Sequence, residues 1–297
     1  MNVLALDLGG TKLAAAVIDS AGHIAQRHSV PLDARNGAEV GALIVDVIRQ
    51  FSTASIAAVG VGVPGIYRAA TGTVWAPNIP GWDDYPLLDE LTAELGPTVP
   101  CAIESDRSCY ILGEVWQGSA RDARNAIFIA VGTGIGAGIM CDGRVIHGHH
   151  DIAGAIGWLA LDRPYRDAYR ACGNFEYFAS GPGIARAAQA AGMADATTAS
   201  VFAAYEQDDA RARGVIDQAV AYWGMAVANL VSIFNPEVIV FGGGVFGPAT
   251  TLIDEVRREA ARWAQPISMK QVRLASSVLG TDIGVFGAAR VALDQHE

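Results

Sequence analysis

Charge is scarce in this chain: 18% of its 297 residues are Asp, Glu, Lys or Arg, against a typical ~25%. Basic residues are the rarer sign, 21 against 31 acidic ones, for a formal net charge of −10. No polybasic run exists to neutralise a phosphate backbone or an anionic leaflet, so neither nucleic acid nor a membrane is expected as a partner. Cysteine is rarer still. The four, Cys101, Cys109, Cys141 and Cys172, form no C-x-x-C pair, which argues against a disulfide framework and against a zinc site readable from spacing. Long hydrophobic runs are missing: stretches such as Ile127 to Ala130 are interrupted well before the ~20 apolar residues of a membrane span. The start, Met-Asn-Val-Leu-Ala-Leu-Asp, has no basic segment, apolar signal core or cleavage site, and a cytoplasmic protein is expected. Plentiful, in contrast, are hydrophobic residues (51%) and glycine, 34 in all, above the usual ~7%. Glycine at that level signals places where backbone must come close to something.

Val3 to Leu8 and Lys12 to Asp19 are short apolar runs separated by Gly9-Gly10-Thr11, the pattern of a hairpin with a glycine turn. A third run, His23 to Pro31, follows a turn at Ser20-Ala21-Gly22. Val40, Leu43, Ile44, Val47, Ile48 and Phe51 then recur at helical spacing, and Ile56 to Val63 reads as a strand ending in Gly62-Val63-Pro64-Gly65. The same grammar returns in the second half. Ala126 to Val131 and Ala137 to Asp142 flank Gly132-Thr133-Gly134-Ile135-Gly136, a helix is expected over Val215 to Phe234, and the strand Glu237 to Phe241 stops in Gly242-Gly243-Gly244. Two halves on one plan imply a duplicated α/β unit with a cleft between two lobes, where ligands favour binding. The expected division is 1–110 plus a C-terminal helix at about 281–297, and 111–280. Irregular insertions, Tyr67 to Pro100 and Arg144 to Ala179, are expected to shape a specific pocket.

Gly9-Gly10-Thr11-Lys12 and Gly132-Thr133-Gly134 offer several backbone N–H groups and a threonine hydroxyl to one anion, and two such loops facing each other would grip a polyphosphate. Either loop alone is equally an ordinary hairpin turn; the duplication favours the phosphate reading. No Walker-type G-x-x-x-x-G-K-[ST] loop is present. Gly242-Gly243-Gly244-Val245-Phe246-Gly247 fits G-x-G-x-x-G between a strand and a helix expected over Ala249 to Trp263. However, the next strand, Gln271 to Ala275, ends in Ser276-Ser277 with no acidic residue for a ribose, which weakens a nicotinamide-dependent oxidoreductase.

In chain order stand Asp7-Leu8-Gly9-Gly10-Thr11-Lys12, Gly62-Val63-Pro64-Gly65, Asn78-Ile79-Pro80-Gly81-Trp82, Gly132-Thr133-Gly134-Ile135-Gly136, and Asn235-Pro236-Glu237 leading into Gly242-Gly243-Gly244. Together these motifs resemble the ROK family of sugar kinases and repressors over nearly the whole chain. The resemblance implies the duplicated actin-like ATPase (ribonuclease H-like) fold. It also implies phosphoryl transfer from ATP, with Mg²⁺, to a hydroxyl of a hexose or hexose-like sugar, O6 being the expected position. The same resemblance places the catalytic base at Asp106 within Ile103-Glu104-Ser105-Asp106-Arg107-Ser108; without it, Asp106 reads as a helix-capping aspartate. Asp7 is the candidate for holding Mg²⁺ through water. Phosphate and nucleotide contacts fall to Gly9, Gly10, Thr11, Lys12, Gly132, Thr133, Gly134, Gly136, Gly242, Gly243 and Gly244, with Lys12 alternatively a solvated hairpin residue. Sugar contacts fall to Gly65, Asn78, Ser105, Asp106, Ala155, Trp158 and Glu176.

The sugar side departs from the family pattern. Ser105 stands where similar kinases carry asparagine. Gly154-Ala155-Ile156-Gly157-Trp158 replaces Gly-Glu-Ile-Gly-His, losing a sugar-binding glutamate and a histidine that touches both sugar and structural zinc. The zinc loop is shortened to Ala171-Cys172-Gly173-Asn174-Phe175-Glu176, one cysteine of three, so no structural zinc is expected. Glu176 survives from the sugar set, and Trp158 is either core or a stacking platform. His147-Gly148-His149-His150-Asp151 reads as an exposed loop that lends at most one histidine to the pocket. Removing hydroxyl-binding groups shifts the expected acceptor toward an aminohexose such as kanosamine, or a carbocyclic analogue, alongside glucose-type hexoses. The alternatives are a non-catalytic sugar or nucleotide sensor, and a DNA-binding repressor. The repressor is disfavoured because the first hairpin begins at residue 3. The resemblance further implies a homodimer, and a polyphosphate donor would suit the same loops.

Overall fold

The computed structural model describes residues 1–51 and 56–295. Two compact units emerge, one of Met1–Asp122, His147–Ala153 and Leu279–Glu297, the other of Ala123–Ile146 and Gly154–Val278.

In the first unit, β1 (Asn2–Leu8) and β2 (Lys12–Asp19) form the glycine-turn hairpin and β3 (Ile24–Pro31) extends it. Helix α1 (Ala38–Gln50) leads into β4 (Ile56–Val63), which runs parallel to β1. A ribbon of β5 (Ile66–Arg68) and β6 (Thr73–Trp75), helix α2 (Leu87–Leu95), edge strand β7 (Cys101–Ser105) and helix α3 (Asp106–Gln117) follow. The sheet order is β3-β2-β1-β4-β7. Strand alternation sorts its faces. Leu4, Leu6, Leu8, Val59, Val61 and Val63 pack in one cluster with Val40, Ile44 and Ile48 of α1, while Val3, Ala5 and Ala58 pack on the other side in a second cluster.

The second unit repeats the plan. Strands β8 (Ala126–Val131), β9 (Ile135–Cys141) and β10 (Arg144–Val145) form the antiparallel part. Helices α4 (Asn174–Ala179), α5 (Gly181–Ala190), α6 (Thr198–Glu206) and α7 (Ala210–Phe234) precede β11 (Val238–Gly242). Helices α8 (Ile253–Ala260) and α9 (Pro266–Gln271) precede β12 (Arg273–Ser276). Its order, β10-β9-β8-β11-β12, matches the first sheet position for position, with the last two strands again parallel. Helix α10 (Ile283–Asp294) returns to the first unit. There Val285, Ala288, Ala289 and Ala292 bury against Val3, Ala5 and Cys109. A Cβ on Gly287 would fall 1.9 Å from the Cys109 carbonyl oxygen of α3, so this helix crossing needs glycine.

Local details differ from the sequence pattern. The helix expected over 249–263 opens as 3-10 turns at Pro248–Leu252 and becomes α-helical over Ile253–Ala260. Thr250 Oγ1 donates to the Phe246 carbonyl at 2.6 Å, a local bond that competes with regular helix. Gly136 lies not in the turn but in β9, paired with Ala130. Among the described residues no helix is long and apolar enough to cross a membrane.

Candidate functional site

The first unit gathers three carboxylates at the carboxyl ends of its parallel strands. In β1, β4 and β7 the residues Asp7, Gly62 and Glu104 are register partners in one row, so Asp7 and Glu104 issue from the same face of the sheet. Gly62 keeps that row open: a Cβ there would lie 3.1 Å from Cys109 Sγ and 3.5 Å from Asp7 Oδ1. Strand β7 passes directly into α3, whose first residue is Asp106. The Cys109 thiol, one turn along α3, is pushed well up by burial and by the charges of Glu104, Asp7 and Asp106, which marks it as inert and the carboxylates as neighbours.

Asp106 Oδ1 accepts the Arg107 N–H at 2.8 Å. That bond and the Arg107 charge favour the carboxylate, but burial outweighs both and the carboxyl is pushed up to about 6. A helix N-terminus would itself favour the anion, so desolvation is the winning effect here. Asp7 is pushed up to about 7, by burial first and by the Asp106 charge second, with Lys12 opposing. Its Oδ1 is buried and has no hydrogen-bond partner among the described residues, and its carboxylate lies against α10, where a Cβ on Gly284 would sit 2.1 Å away.

The β1–β2 turn closes by Gly9 N–H donating to the Lys12 carbonyl at 2.9 Å, with Gly10, Thr11 and Lys12 exposed. Asn78 lies beside this turn, its Nδ2 3.2 Å from the position of a Cβ on Gly10. Gly65 has φ +100° and accepts from Arg107 Nη2 at 3.4 Å, which ties it to the start of α3. Ser105 is buried and its hydroxyl lies 3.1 Å from that of Ser108; its N–H donates to Glu104 Oε1 at 2.7 Å.

In the second unit the glycine turn, the β11 stop and the start of α5 converge. Gly132 N–H donates to the Gly134 carbonyl at 2.9 Å, and the Gly181 N–H donates to the Gly132 carbonyl at 2.8 Å. A Cβ on Gly132 would lie 3.9 Å from the Gly244 nitrogen. Of the three glycines at the stop, two are required by packing: Gly243 has φ +89° and would meet the Val131 carbonyl at 2.5 Å, and Gly242 would meet Phe128 at 2.4 Å. Gly244 faces open space, and a 3-10 turn follows over Gly244–Phe246. Thr133 and Gly134 are exposed.

Glu176 joins this group, because its Oε2 accepts the Ile135 N–H at 2.6 Å, at the first residue of β9. Burial nevertheless pushes its carboxyl above the usual range. Ala155 precedes a 3-10 turn over Ile156–Trp158. Trp158 is 57% exposed and lines a cavity of about 450 Å³ with Tyr165, Tyr169, Arg170 and Asn174, so it is not a core residue. Among the described residues no group of three or more His, Cys, Asp or Glu side chains comes together as a metal site, and Cys172 is a free thiol.

Two features escaped the sequence pattern. His147 Nε2 lies 2.6 Å from Glu104 Oε2, across 43 positions of chain. The signal for Glu104 was its place two residues before Asp106 on a strand, where alternation sends it to the Asp7 face. Gly284 against Asp7 had only the small residues of α10 as a hint.

A model of the ROK family matches residues 3–295. The glucokinase of Halalkalibacterium halodurans is 32% identical, over 98% of this chain and 94% of that protein. Among solved structures, a ROK hexokinase from Thermus thermophilus superposes with a TM-score of 0.85 at 30% identity, covering 100% of this chain and 99% of its own. A ROK family glucokinase from Streptomyces griseus, solved in complex with glucose and AMPPNP, gives 0.76 at 26% identity, covering 99% and 100%. The duplicated α/β plan of both sheets is accordingly that of the actin-like ATPase fold. With the family model spanning nearly every residue and full-length relatives at this identity, the chain belongs to the ROK family.

Proposed function

We propose that this protein transfers the γ-phosphoryl group of ATP to a hydroxyl, O6, of a hexose or hexose-like sugar, with Asp106 as the general base. The enzyme class, a sugar kinase, is that of its full-length relatives. The reading rests on one observation above others: a carboxylate at the first turn of α3, raised to about 6 by burial, in the unit that carries Asp7 and the open Gly9–Lys12 turn. A base with a pKa just below neutrality is ionised at working pH yet still takes a proton readily.

Asp106 accepts the proton of the acceptor hydroxyl as that oxygen bonds to the γ-phosphorus, and the bond from phosphorus to the β-γ bridging oxygen breaks to release ADP. Backbone N–H groups of Gly9, Gly10 and Thr11, with the Lys12 ammonium, are the phosphate-binding set of the first unit. In the second unit the exposed Thr133 and Gly134 take phosphate, and Gly244 admits adenosine against the backbone. Gly242 and Gly243 serve by shaping that stop, and Gly136 by anchoring β9. Asp7 Oδ1, buried without a partner among the described residues, fits a hydrated Mg²⁺, which needs few protein oxygens. When bound, the ion neutralises phosphate charge.

Gly65, Asn78, Ser105 and Asp106 form the acceptor set of the first unit; Ala155, Trp158 and Glu176 form that of the second. The exposed indole of Trp158 suits stacking on an apolar sugar face. The polar groups missing at Ala155 and Trp158 favour an aminohexose or carbocyclic acceptor beside plain glucose. A cytoplasmic homodimer completes the reading, as symmetric dimers are the commonest assembly; sedimentation tests the dimer.

ADP release measured over hexoses, amino sugars and cyclitols, with ATP or polyphosphate as donor, tests the proposal. Sugar-dependent release that Asp106→Asn lowers by about two to four orders of magnitude is expected. Absence of any sugar-dependent release, or full turnover by the Asn variant, refutes it.

A further inference from the structure

The carboxylate of Glu104 is engaged at both oxygens. Oε1 accepts the N–H of Ser105 at 2.7 Å, the residue immediately before Asp106, and Oε2 lies 2.6 Å from His147 Nε2. His147 opens the segment His147–Ala153 of the first unit, which turns at Gly148 and Asp151 (φ +75° and +58°) and closes by Ala153 N–H donating to the His147 carbonyl at 2.9 Å. Because β7 is the edge strand of its sheet, Glu104 is the point at which this segment is fastened beside the base. The Glu104 side chain is only 17% exposed and that of His147 42%, so the pair is shielded more than a fully solvated ion pair.

The groups facing the imidazole are acidic. Glu104 and Asp151 both hold its pKa above the ordinary value, the bond to Glu104 most of all, while partial burial opposes them. Tyr67 of β5 faces the same two carboxylates and Cys101, and is itself pushed upward by burial and by those charges. The environment therefore favours imidazolium, and a charge-assisted hydrogen bond is roughly twice as strong as a neutral one.

We propose that Glu104 and His147 are positioning residues for the acceptor: the pair latches segment 147–153 to the end of β7 and fixes the backbone on which Asp106 is carried, so that acceptor binding depends on it. This rests on the kinase reading above. The protonated latch is the tighter one, and neutral imidazole retains a weaker N–H donor to Glu104.

The test is steady-state kinetics from pH 6 to 9 on wild type, Glu104→Gln, His147→Gln and the double variant. The acceptor is the sugar with the highest wild-type turnover in the panel above, and thermal melts accompany each variant. Each single variant is expected to raise the acceptor KM about tenfold, with the ATP KM within twofold and the double variant no worse than either single one. The wild-type acceptor KM should rise with pH as His147 loses its proton, and that limb should vanish in His147→Gln. Imidazole NMR should show the His147 pKa falling in Glu104→Gln, a readout independent of activity. Acceptor KM values within twofold of wild type, additive losses, equal rises in both KM values, or a pH limb that survives His147→Gln would overturn the proposal. Wild type without sugar-dependent turnover would instead refute the kinase reading itself.

Discussion

Replacing Asp7 by asparagine should make the protein more stable and abolish turnover. The carboxyl is raised from 3.8 to about 7, chiefly by burial, and its Oδ1 has no partner among the described residues. Each pKa unit corresponds to about 1.4 kcal/mol, so holding the charge on Asp7 in the folded state costs at most about 4 kcal/mol. Partial solvent access and relaxation reduce that to about 2 kcal/mol. Between about pH 4 and pH 7 the native state retains a proton that the unfolded chain has already lost, so the stability contributed by this carboxyl falls as pH rises through that window. The asparagine variant has no such dependence. Its advantage over wild type should therefore be near zero at pH 4 and reach about 2 kcal/mol at pH 8. The assay is urea unfolding in EDTA across that range, following the first transition because a chain of two units need not unfold in one step. A variant equal to or less stable than wild type at pH 8, or a gain that does not grow with pH, would show that Asp7 is not a destabilised buried charge. Loss of activity with gain of stability is the trade expected where a site retains a strained group for chemistry.

Three further outcomes follow from the same geometry. Asp106→Asn should lower kcat by about 10² to 10⁴ with little change in ATP affinity, and wild-type kcat/KM should rise with pH through about 6 as Asp106 loses its proton; a flat profile over pH 5–7 excludes Asp106 as the base. Gly284→Ala puts a Cβ 2.1 Å from the Asp7 carboxylate and should destabilise by about 1–3 kcal/mol, whereas Gly214→Ala, with nothing within 4 Å, should stabilise by up to about 1 kcal/mol; chemical denaturation of both variants checks the contrast. Elemental analysis of purified protein should find zinc well below one per chain, and a stoichiometric ion would contradict the reading of the shortened loop around Cys172.

The hairpins were legible because short apolar runs flanking a glycine turn are local signals, visible in Val3 to Leu8 and again in Ala126 to Val131. The repeat announced two like halves, but the strand order of each sheet, with β7 and β12 at the edges, belongs to the fold. Helix ends were less legible: nothing in Ala249 to Trp263 announces 3-10 turns over Pro248–Leu252, because the Thr250 to Phe246 bond competes with the helix only once the turn has formed. Glycine was ambiguous in a specific way. Gly243 and Gly244 look alike in sequence, yet one is required by the Val131 carbonyl and the other faces open space. Glu176 was legible as a survivor of the sugar set but not as the acceptor of the Ile135 N–H, a partner 41 positions away.

Legible from the residues in order were the duplicated α/β plan, the motif series of the ROK family and the glycine turns at Gly9–Lys12 and Gly132–Gly134; Asp106 entered as a candidate base through the family resemblance alone. Apolar runs, turn chemistry and motif order are written in the chain itself and survive without a fold. Belonging to the fold instead are the pressure of Gly284 on Asp7, the fastening of His147 to Glu104, and the larger part that burial, over neighbouring charge, takes in raising Asp7 and Asp106. Those facts depend on which distant segments exclude water from one carboxylate, and desolvation belongs to the packed molecule and to no residue alone.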